Sequence, residues 1–458
     1  MATIPSNVKL NATTVDILNT IRNNASINYQ NLIPKISGDS KSEISGQIRT
    51  IGKTLMTYEP LKNEFLNALY NRIGRVIITS KSYENPWRLF KGGILDYGET
   101  IEEVFVNLVE GHNFDPGKAE SEVFKREIPD VRSAFHTMNF QKFYKVTVSN
   151  QQLNQAFLSV DGVQELINYI IDSLTRSMNY DEFQVMKYTL ALSILNGKMF
   201  VEDVPDYNTD IKACVSRIKA ISNDFEYEKK KYNLAGVYNH APKTEQVLIV
   251  SNDFDSKMSV ELLAWVFNLD YADITFQRVG VDSFGDIDME RLRNLFKDEP
   301  NFVDISEDEL KALDVIPCVL VSKDWFKIYD NLLEYGEIQN IQGLYFNHFV
   351  HTWKTFSSSP FENNALFVVG TPTVNSVSVS PAEATVYPGN NFPLSVTVDT
   401  DNFAPKTVEY TTDKEGISVS ADGVVIIPAD TAETAVTITV TSTYDSSKTD
   451  NCILTINH

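Results

Sequence analysis

The stretch from Asp161 to Gly197 constrains this chain more than any other. Val163, Leu166, Ile167, Ile170, Ile171 and Leu174 recur at i, i+3, i+4, i+7, i+8 and i+11, one stripe of a 3.6-residue helix, with Asn168, Asp172 and Arg176 set off it. Phe183, Met186, Leu190 and Ile194 form a second stripe, but at about 100° per residue Phe183 falls about 140° around from Met178. The pattern therefore predicts a kink or a restart. Asn179 followed by Glu182 has the form of a capping box, which places the restart near Asn179. Unbroken, the segment would reach about 54 Å at 1.5 Å per residue, a spine rather than a compact core helix.

With 458 residues the chain can bury a large core and is expected to hold two to three domains. Its net charge of −21 argues against wrapping nucleic acid without regard to sequence, because that needs a dense positive surface. Cys214, Cys318 and Cys452 stand far apart with no C-x-x-C, so they read as buried reduced thiols rather than a disulfide framework or zinc site. The first residues have neither a charged nor an apolar leader region, and no run of about 18 apolar residues occurs, so a soluble chain made in a cytoplasm is expected.

Residues 1–60 are polar and interrupted by Gly38, Gly46 and Gly52, which reads as an extended arm with short helical pieces. Leu61, Phe65 and Leu69 start a short helix, and Val76 to Ile78 a strand. Residues 80–148 are broken at Asn85-Pro86, Gly92-Gly93 and Gly98. Thr100-Ile101-Glu102-Glu103 has capping-box form and predicts a helix through Leu108, although Val104 to Val106 is also β-prone and could pair with Phe140 to Val148. Asp115-Pro116 could open a helix over Lys118 to Arg126. So long and polar an excursion reads as a projecting hairpin whose partner is another molecule, with Trp87, Phe90, Phe105 and Phe143 unpartnered in an isolated chain.

Arg72-Ile73-Gly74, Asn85-Pro86, Phe90-Lys91, Thr100-Ile101-Glu102-Glu103, Val123-Phe124, Arg126-Glu127, Pro129, Phe135-His136 and Phe143-Tyr144, in this order, resemble major capsid proteins of small short-tailed bacteriophages of Gram-positive hosts. These are the Bacillus podovirus type and its Staphylococcus and Streptococcus relatives. The resemblance implies the α+β Johnson fold: an N-terminal arm (1–60), a peripheral domain start (61–200) with extended loop (80–148) and spine helix (161–197), and an axial domain (201–322). Residues 323–370 then return to the peripheral domain. It also implies that Thr100 to Leu108 is a strand, against the capping rule.

Beyond Gly197 the pattern is mixed. Val247 to Val250 reads as a buried strand, Val260 to Leu269 as a helix, Ile274 to Val281 as a strand, Ser306 to Glu309 as a capping box, and Val315 to Val321 as a strand despite Pro317. Resemblance is weakest from 201 to 317 and returns at Lys323 to Phe326, Tyr329 to Leu332 and Gly343 to Tyr345. Alternation from Tyr345 to Trp353 fits a strand with one aromatic face. From Gly370-Thr371-Pro372 the chain becomes Val/Thr/Ser-rich with turns at Pro388-Gly389, Asp422-Gly423 and Asp445-Ser446, an all-β sandwich over 371–458 behind a linker with little to bury. It is similar to bacterial immunoglobulin-like domains of group 2, with Tyr410 where a tryptophan is usual.

Candidate chemistry is sparse. His348 and His351 would face opposite sides of a strand, Asp253/Asp255 and Asp286/Asp288/Glu290 do not fit a calcium loop, and Gly92-Gly93 and Gly280 to Gly285 lack the Lys-Ser/Thr of a phosphate loop. His112, His136, His240 and His458 stand alone, and Lys229 to Lys231 reads as a solvated face. No catalytic, cofactor or metal residue is expected. The leading function is a shell subunit that assembles around phage double-stranded DNA; the alternatives are an adhesin or carbohydrate-binding protein with an immunoglobulin-like module, and an enzyme. By resemblance the partners are copies of the chain in hexamers and pentamers, a scaffolding protein, a portal and head fibres. The packaged DNA would not be specifically bound, and no membrane is involved.

Overall fold

The computed structural model describes residues 13–38, 40–58, 60–66, 68–69, 85–95, 100–113, 117, 124–266 and 277–457. Its axis is one unbroken 34-residue helix, Gly162–Leu195, about 51 Å long at 1.5 Å per residue. The expected restart near Asn179 does not occur. Glu182, which the capping pattern assigns to a helix start, instead turns inward to Lys91 and Lys354. The stripe jumps because the helix changes partners: Val163, Ile167, Ile170, Ile171 and Leu174 pack into one apolar cluster, and Phe183, Met186, Leu190 and Ile194 into another. From Asp181 to Tyr188 every residue is buried, so no solvent face survives to mark a period.

The first cluster is built with the N-terminal segment, where the expected helical pieces form and take up most of the described residues. Helices α1 (Thr14–Asn24), α2 (Ile27–Leu32) and α3 (Lys41–Thr57) bring Ile17, Ile21, Tyr29, Ile48, Ile51 and Leu55 against the first half of the spine. Thr13 and Asp16 close a full capping box on α1. The apolar spacing was there in a polar background: Ile48, Ile51 and Leu55 sit at i, i+3 and i+7. Gly52 is needed where α3 crosses the spine's approach, since a Cβ there would stand 2.5 Å from the Phe157 side chain. Leu61, Phe65 and Leu69 are buried on the helical stretch that follows, as their spacing predicts. Val76 to Ile78 lies outside the described residues.

In chain order the first eleven strands are β1 (Lys91–Ile94), β2 (Ile101–Val106), β3 (Val131–His136), β4 (Phe140–Ser149), β5 (Val201–Val204), β6 (Gln246–Ser251), β7 (Gln277–Val281), β8 (Cys318–Ser322), β9 (Phe326–Asn340), β10 (Tyr345–Ser358) and β11 (Asn364–Val369). One sheet runs β1-β9-β10-β4. Its long β9–β10 hairpin lays alternate residues of β10, among them Phe346, Val350 and Phe356, into the apolar clusters along the spine. The segment 101–106 is a strand, as the resemblance implies and the capping rule does not: Glu103 is held by His136, Lys327 and Ser359 instead of capping a helix. Nor does β2 pair with residues 140–148. It pairs antiparallel with β3, from Ile101↔His136 to Val106↔Val131, while β4 pairs with β10. The expected helix over Lys118 to Arg126 falls largely outside the described residues.

A second sheet, β5-β11-β8-β6-β7, is sandwiched between the spine and two further helices, Ile211–Asp224 and Asn252–Val266. Every residue of β6 and β8 is buried, the mark of strands covered on both faces. Val247 and Ile249 face the spine cluster; Leu248 and Val250 face the cluster with Ile218 and Phe254. Two boundaries differ from expectation: the helix starts at Asn252 rather than Val260, and β8 starts at Cys318 because Pro317 supplies no N–H to the ladder. The strand expected from Ile274 is described from Gln277 to Val281, its first residues lying outside the described ones. The capping box at Ser306 forms as its sequence predicts, on helix Glu307–Asp314.

Residues 373–456 form a β-sandwich with its own core of Val377, Val398, Val425, Val436, Ile438, Val440, Cys452 and Leu454. Its main sheet sets strand Ala435–Ser442 between Val408–Thr412 and Thr449–Ile456. Cys214, Cys318 and Cys452 are buried free thiols. Among the described residues no helix is long and apolar enough to cross a membrane.

Candidate assembly surfaces

The β2–β3 hairpin has two unlike faces, because side chains alternate along each strand. One face returns to its own chain. Phe105 stacks on Phe361 with ring centroids 5.7 Å apart. His136 bridges Glu103 Oε2 (3.2 Å) and Ser357 Oγ (2.8 Å), Ser359 donates to Glu103 Oε1 (2.9 Å), and Lys327 Nζ is 3.0 Å from the same oxygen. Burial alone would raise the Glu103 carboxyl, but the hydrogen bond to His136 and the Lys327 charge hold it below the usual carboxylate range. Farther out, Arg132 donates to the Ala235 carbonyl and the Tyr238 N–H donates to Asn107 Oδ1 at 3.3 Å.

Among the described residues nothing covers the other face. Val104, Val106, Val131 and Phe135 are each more than half exposed, and Val104↔Ser133, Val106↔Val131 and Glu102↔Phe135 are facing pairs. Phe124 and Ile128, toward the hairpin's far end, and Phe143 on β4 are exposed as well. A two-stranded ribbon with an apolar outer face is stable only when that face is buried elsewhere.

The hairpin's root is anchored in the second spine cluster. Trp87 and Phe90, expected to lack partners, are buried there: Trp87 meets Phe183 edge-on at 5.5 Å and donates through Nε1 to the Gly280 carbonyl at 3.2 Å. Beside them Lys91 Nζ lies 3.0 Å from Glu182 Oε2 and 2.8 Å from Asp330 Oδ2, Lys354 pairs with Glu182 and with Asp330 Oδ1 (2.5 Å), and Asn85 Nδ2 donates to Glu182 Oε1 (2.8 Å). Burial opposes every charge here. The two lysines nevertheless keep Glu182 and Asp330 below the ordinary carboxylate range, and the two carboxylates keep Lys354 above the ordinary lysine value. Two acids and two bases thus fasten the root, β9, β10 and the spine to one point. Asp181 repeats the arrangement one residue away, with Arg291 and the Tyr144 hydroxyl (2.8 Å).

The residues weighed as candidate chemistry are scattered. His348 is buried against the Tyr335 hydroxyl (2.6 Å), while His351 faces the other way beside Phe143. Asp253 pairs with Lys257 and Tyr207, Asp255 with Arg278, and Asp288 caps helix Met289–Leu295. Lys229 and Lys231 lie by Asp224, and Lys230 over Tyr238. Among the described residues no three His, Cys, Asp or Glu side chains converge as metal ligands, and His458 is outside them. Ser357, His136 and Glu103 do line up as hydroxyl, imidazole and carboxylate, which no sequence spacing signals. His136 is closed to solvent and Lys327 and Ser359 occupy the carboxylate, so the row serves as a fastening. An open cleft of about 410 Å³ between the spine and Phe296–Phe302 is lined by Phe140, Tyr188, Phe356 and Lys198.

A family model for the Phi29-like phage major capsid protein matches residues 18–368. The chain is 31% identical over 444 residues to the major capsid protein of Bacillus phage B103, covering 95% of this chain and 91% of that one. It is 26% identical over 366 residues to the major capsid protein of Streptococcus phage Cp-1, covering 76% and 92%. Among solved structures it is similar to a chain of the Staphylococcus phage Andhra capsid at 15% identity and a TM-score of 0.48, covering 64% of this chain and 86% of that one.

Proposed function

Because the chain belongs to the Phi29-like phage major capsid protein family, we propose that the uncovered face of its β2–β3 hairpin is the surface by which one subunit grips the next. The chain is a phage major capsid protein, a virion component built into a shell from copies of itself. That role displaces the adhesin alternative. One observation carries the contact: Val104, Val106, Val131 and Phe135 form an apolar face on a ribbon without a core of its own. In a shell built from copies of this chain, a neighbouring copy is the partner always at hand for such a face.

Within this reading residues 1–60 are the arm, 61–200 hold the extended loop (80–148) and spine (161–197), 201–322 are the axial domain, and 323–370 return to the peripheral domain. Residues 371–458 are an immunoglobulin-like domain on the particle's outside. Subunits assemble as hexamers and pentamers in the host cytoplasm, with a scaffolding protein, a portal and head fibres as partners. The net charge of −21 supports a wall that contains DNA without binding it, and the chain acts as structure rather than enzyme. The test is assembly with a scaffolding protein supplied, followed by negative-stain microscopy. Closed shells are expected from the native chain, and soluble, folded but unassembled protein from a variant carrying Val104→Ser, Val106→Ser, Val131→Ser and Phe135→Ser. Normal shells from that variant would refute the contact.

A further inference from the structure

We propose that the C-terminal sandwich is the C-terminal cap of the spine helix, joined to it in one fixed orientation by the loop 401–406. The last turn of any helix leaves four carbonyls without partners inside the helix. Here each is accounted for. The Asn196 N–H donates to Leu192 O at 3.0 Å, Lys198 N–H to Ser193 O at 3.0 Å, and Gly197 N–H to Ile194 O at 2.9 Å, the pairing of a Schellman ending with Gly197 at φ +62°. The fourth carbonyl, that of Leu195, accepts from Lys406 Nζ at 2.8 Å, more than two hundred residues away in sequence. A lysine there also opposes the partial negative charge at the helix end. The Lys406 N–H then donates to Gly197 O at 3.2 Å. The approach is so close that a Cβ on Gly197 would lie 2.6 Å from Lys406 N, so this glycine serves both the turn and the docking.

A second observation bears on the same loop. Asn402 and Phe403 are successive non-glycine residues at φ 50° and 60°, a backbone state that costs energy and persists only where the surroundings impose it. What imposes it is the shell body. Asn402 Nδ2 donates to Val369 O at 3.2 Å and to Gly370 O, and Phe403 packs against the cluster built on the second half of the spine. The connection itself is tied down: Gly370 N–H and the Thr371 hydroxyl donate to Asp203, both at 3.1 Å. The expected linker with little to bury is thus a fixed joint, and its polar residues hide that because their partners sit on β5 and on a loop of the sandwich.

The joint would transmit load between the sandwich and the spine whichever outer-surface role the sandwich plays. Hydrogen exchange on assembled full-length particles tests it, read at Gly197 and Lys198 and, as a control, at the sandwich core strand Ala435–Ser442. Phe403→Ser and Lys406→Met are each expected to speed exchange at Gly197 and Lys198 about fivefold or more, the scale of one lost hydrogen bond, and to expose Gly370 to Thr373 to protease. The core strand should stay protected. Unchanged exchange at 197–198 in both variants would overturn the proposal. So would loss of protection in Ala435–Ser442, because the residues would then support only the sandwich's own fold.

Discussion

The hairpin and the sandwich are both β appendages of the spine-centred body, and they solve opposite problems. The sandwich encloses its own core, with Ile438, Val440 and Leu454 fully buried, and meets the body at the joint around Gly370 and Lys406. The hairpin has no interior. Its inner face is spent on Phe361, Ser357 and Ser359, and its outer face of Val104, Val106, Val131 and Phe135 faces solvent. The difference is the ground for the proposed contact: a domain that satisfies itself can be carried, whereas a ribbon with an exposed apolar face gains by being shared.

The largest effect is expected at the hairpin's root. Lys354→Met leaves Glu182 buried without its nearest cation, and removing one partner of a buried pair costs about 3–5 kcal/mol. Thermal melts of the monomer should show the body, not the sandwich, losing that stability. Ile438→Ala should do the reverse. Large-to-small substitution of a fully buried Ile costs about 2–5 kcal/mol, and here it should melt the sandwich while exchange protection along Gly162–Leu195 stays native. If either variant melts both parts together, the two are one cooperative unit and the contrast fails.

A smaller effect is expected from protons between the hairpin's supporting strands β9 and β10. Burial raises Glu337 to about 7 and lowers His348 to about 4, so despite their 3.5 Å separation the two form no stable ion pair. The Glu337 contribution is complete below its unfolded value near 4.5 and is lost as pH rises through 7. That of His348 runs the other way, complete above 6.5 and lost as pH falls toward 4. The two offset each other in the native chain. Glu337→Gln should therefore gain on the order of 2 kcal/mol at pH 8 and little at pH 5, measured by melting at both. The smallest effect belongs to the hairpin in isolation: Val104→Ser should change monomer stability by no more than about 0.5 kcal/mol, as exposed substitutions do. A larger loss would mean the face is already covered.

How legible this was in the sequence follows the same division. Where one face meets water the period is plain, as from Val163 to Leu174, through β10 and in the sandwich strands. Where residues are buried all round it fails: Asp181 to Tyr188 look like a helix break because their charges are satisfied by Lys91, Lys354, Arg291 and Asp282, none near in sequence. The capping rule misread Thr100 to Glu103 for the same reason, since His136 and Lys327 claim the glutamate. The polar arm showed its helical pieces but not how much of it they fill, its few apolar residues being enough to line one helix face each. Trp87 and Phe90 read as hairpin aromatics because Asn85-Pro86 precedes them and Gly92, Gly93 and Gly98 follow, yet they are core. The hairpin was visible as an excursion, but its pairing was not, because β4 had a better partner in β10.

The direct test of the shared ribbon is a photo-crosslinking side chain placed at Phe135, the most exposed of the four apolar residues of the outer face, in particles assembled from full-length protein. Irradiation should give covalent dimers and higher ladders from assembled shells and none from monomer, with peptides mapping to a second copy of this chain. Crosslinks confined to the same chain, or equal yields from monomer and shell, would contradict the account.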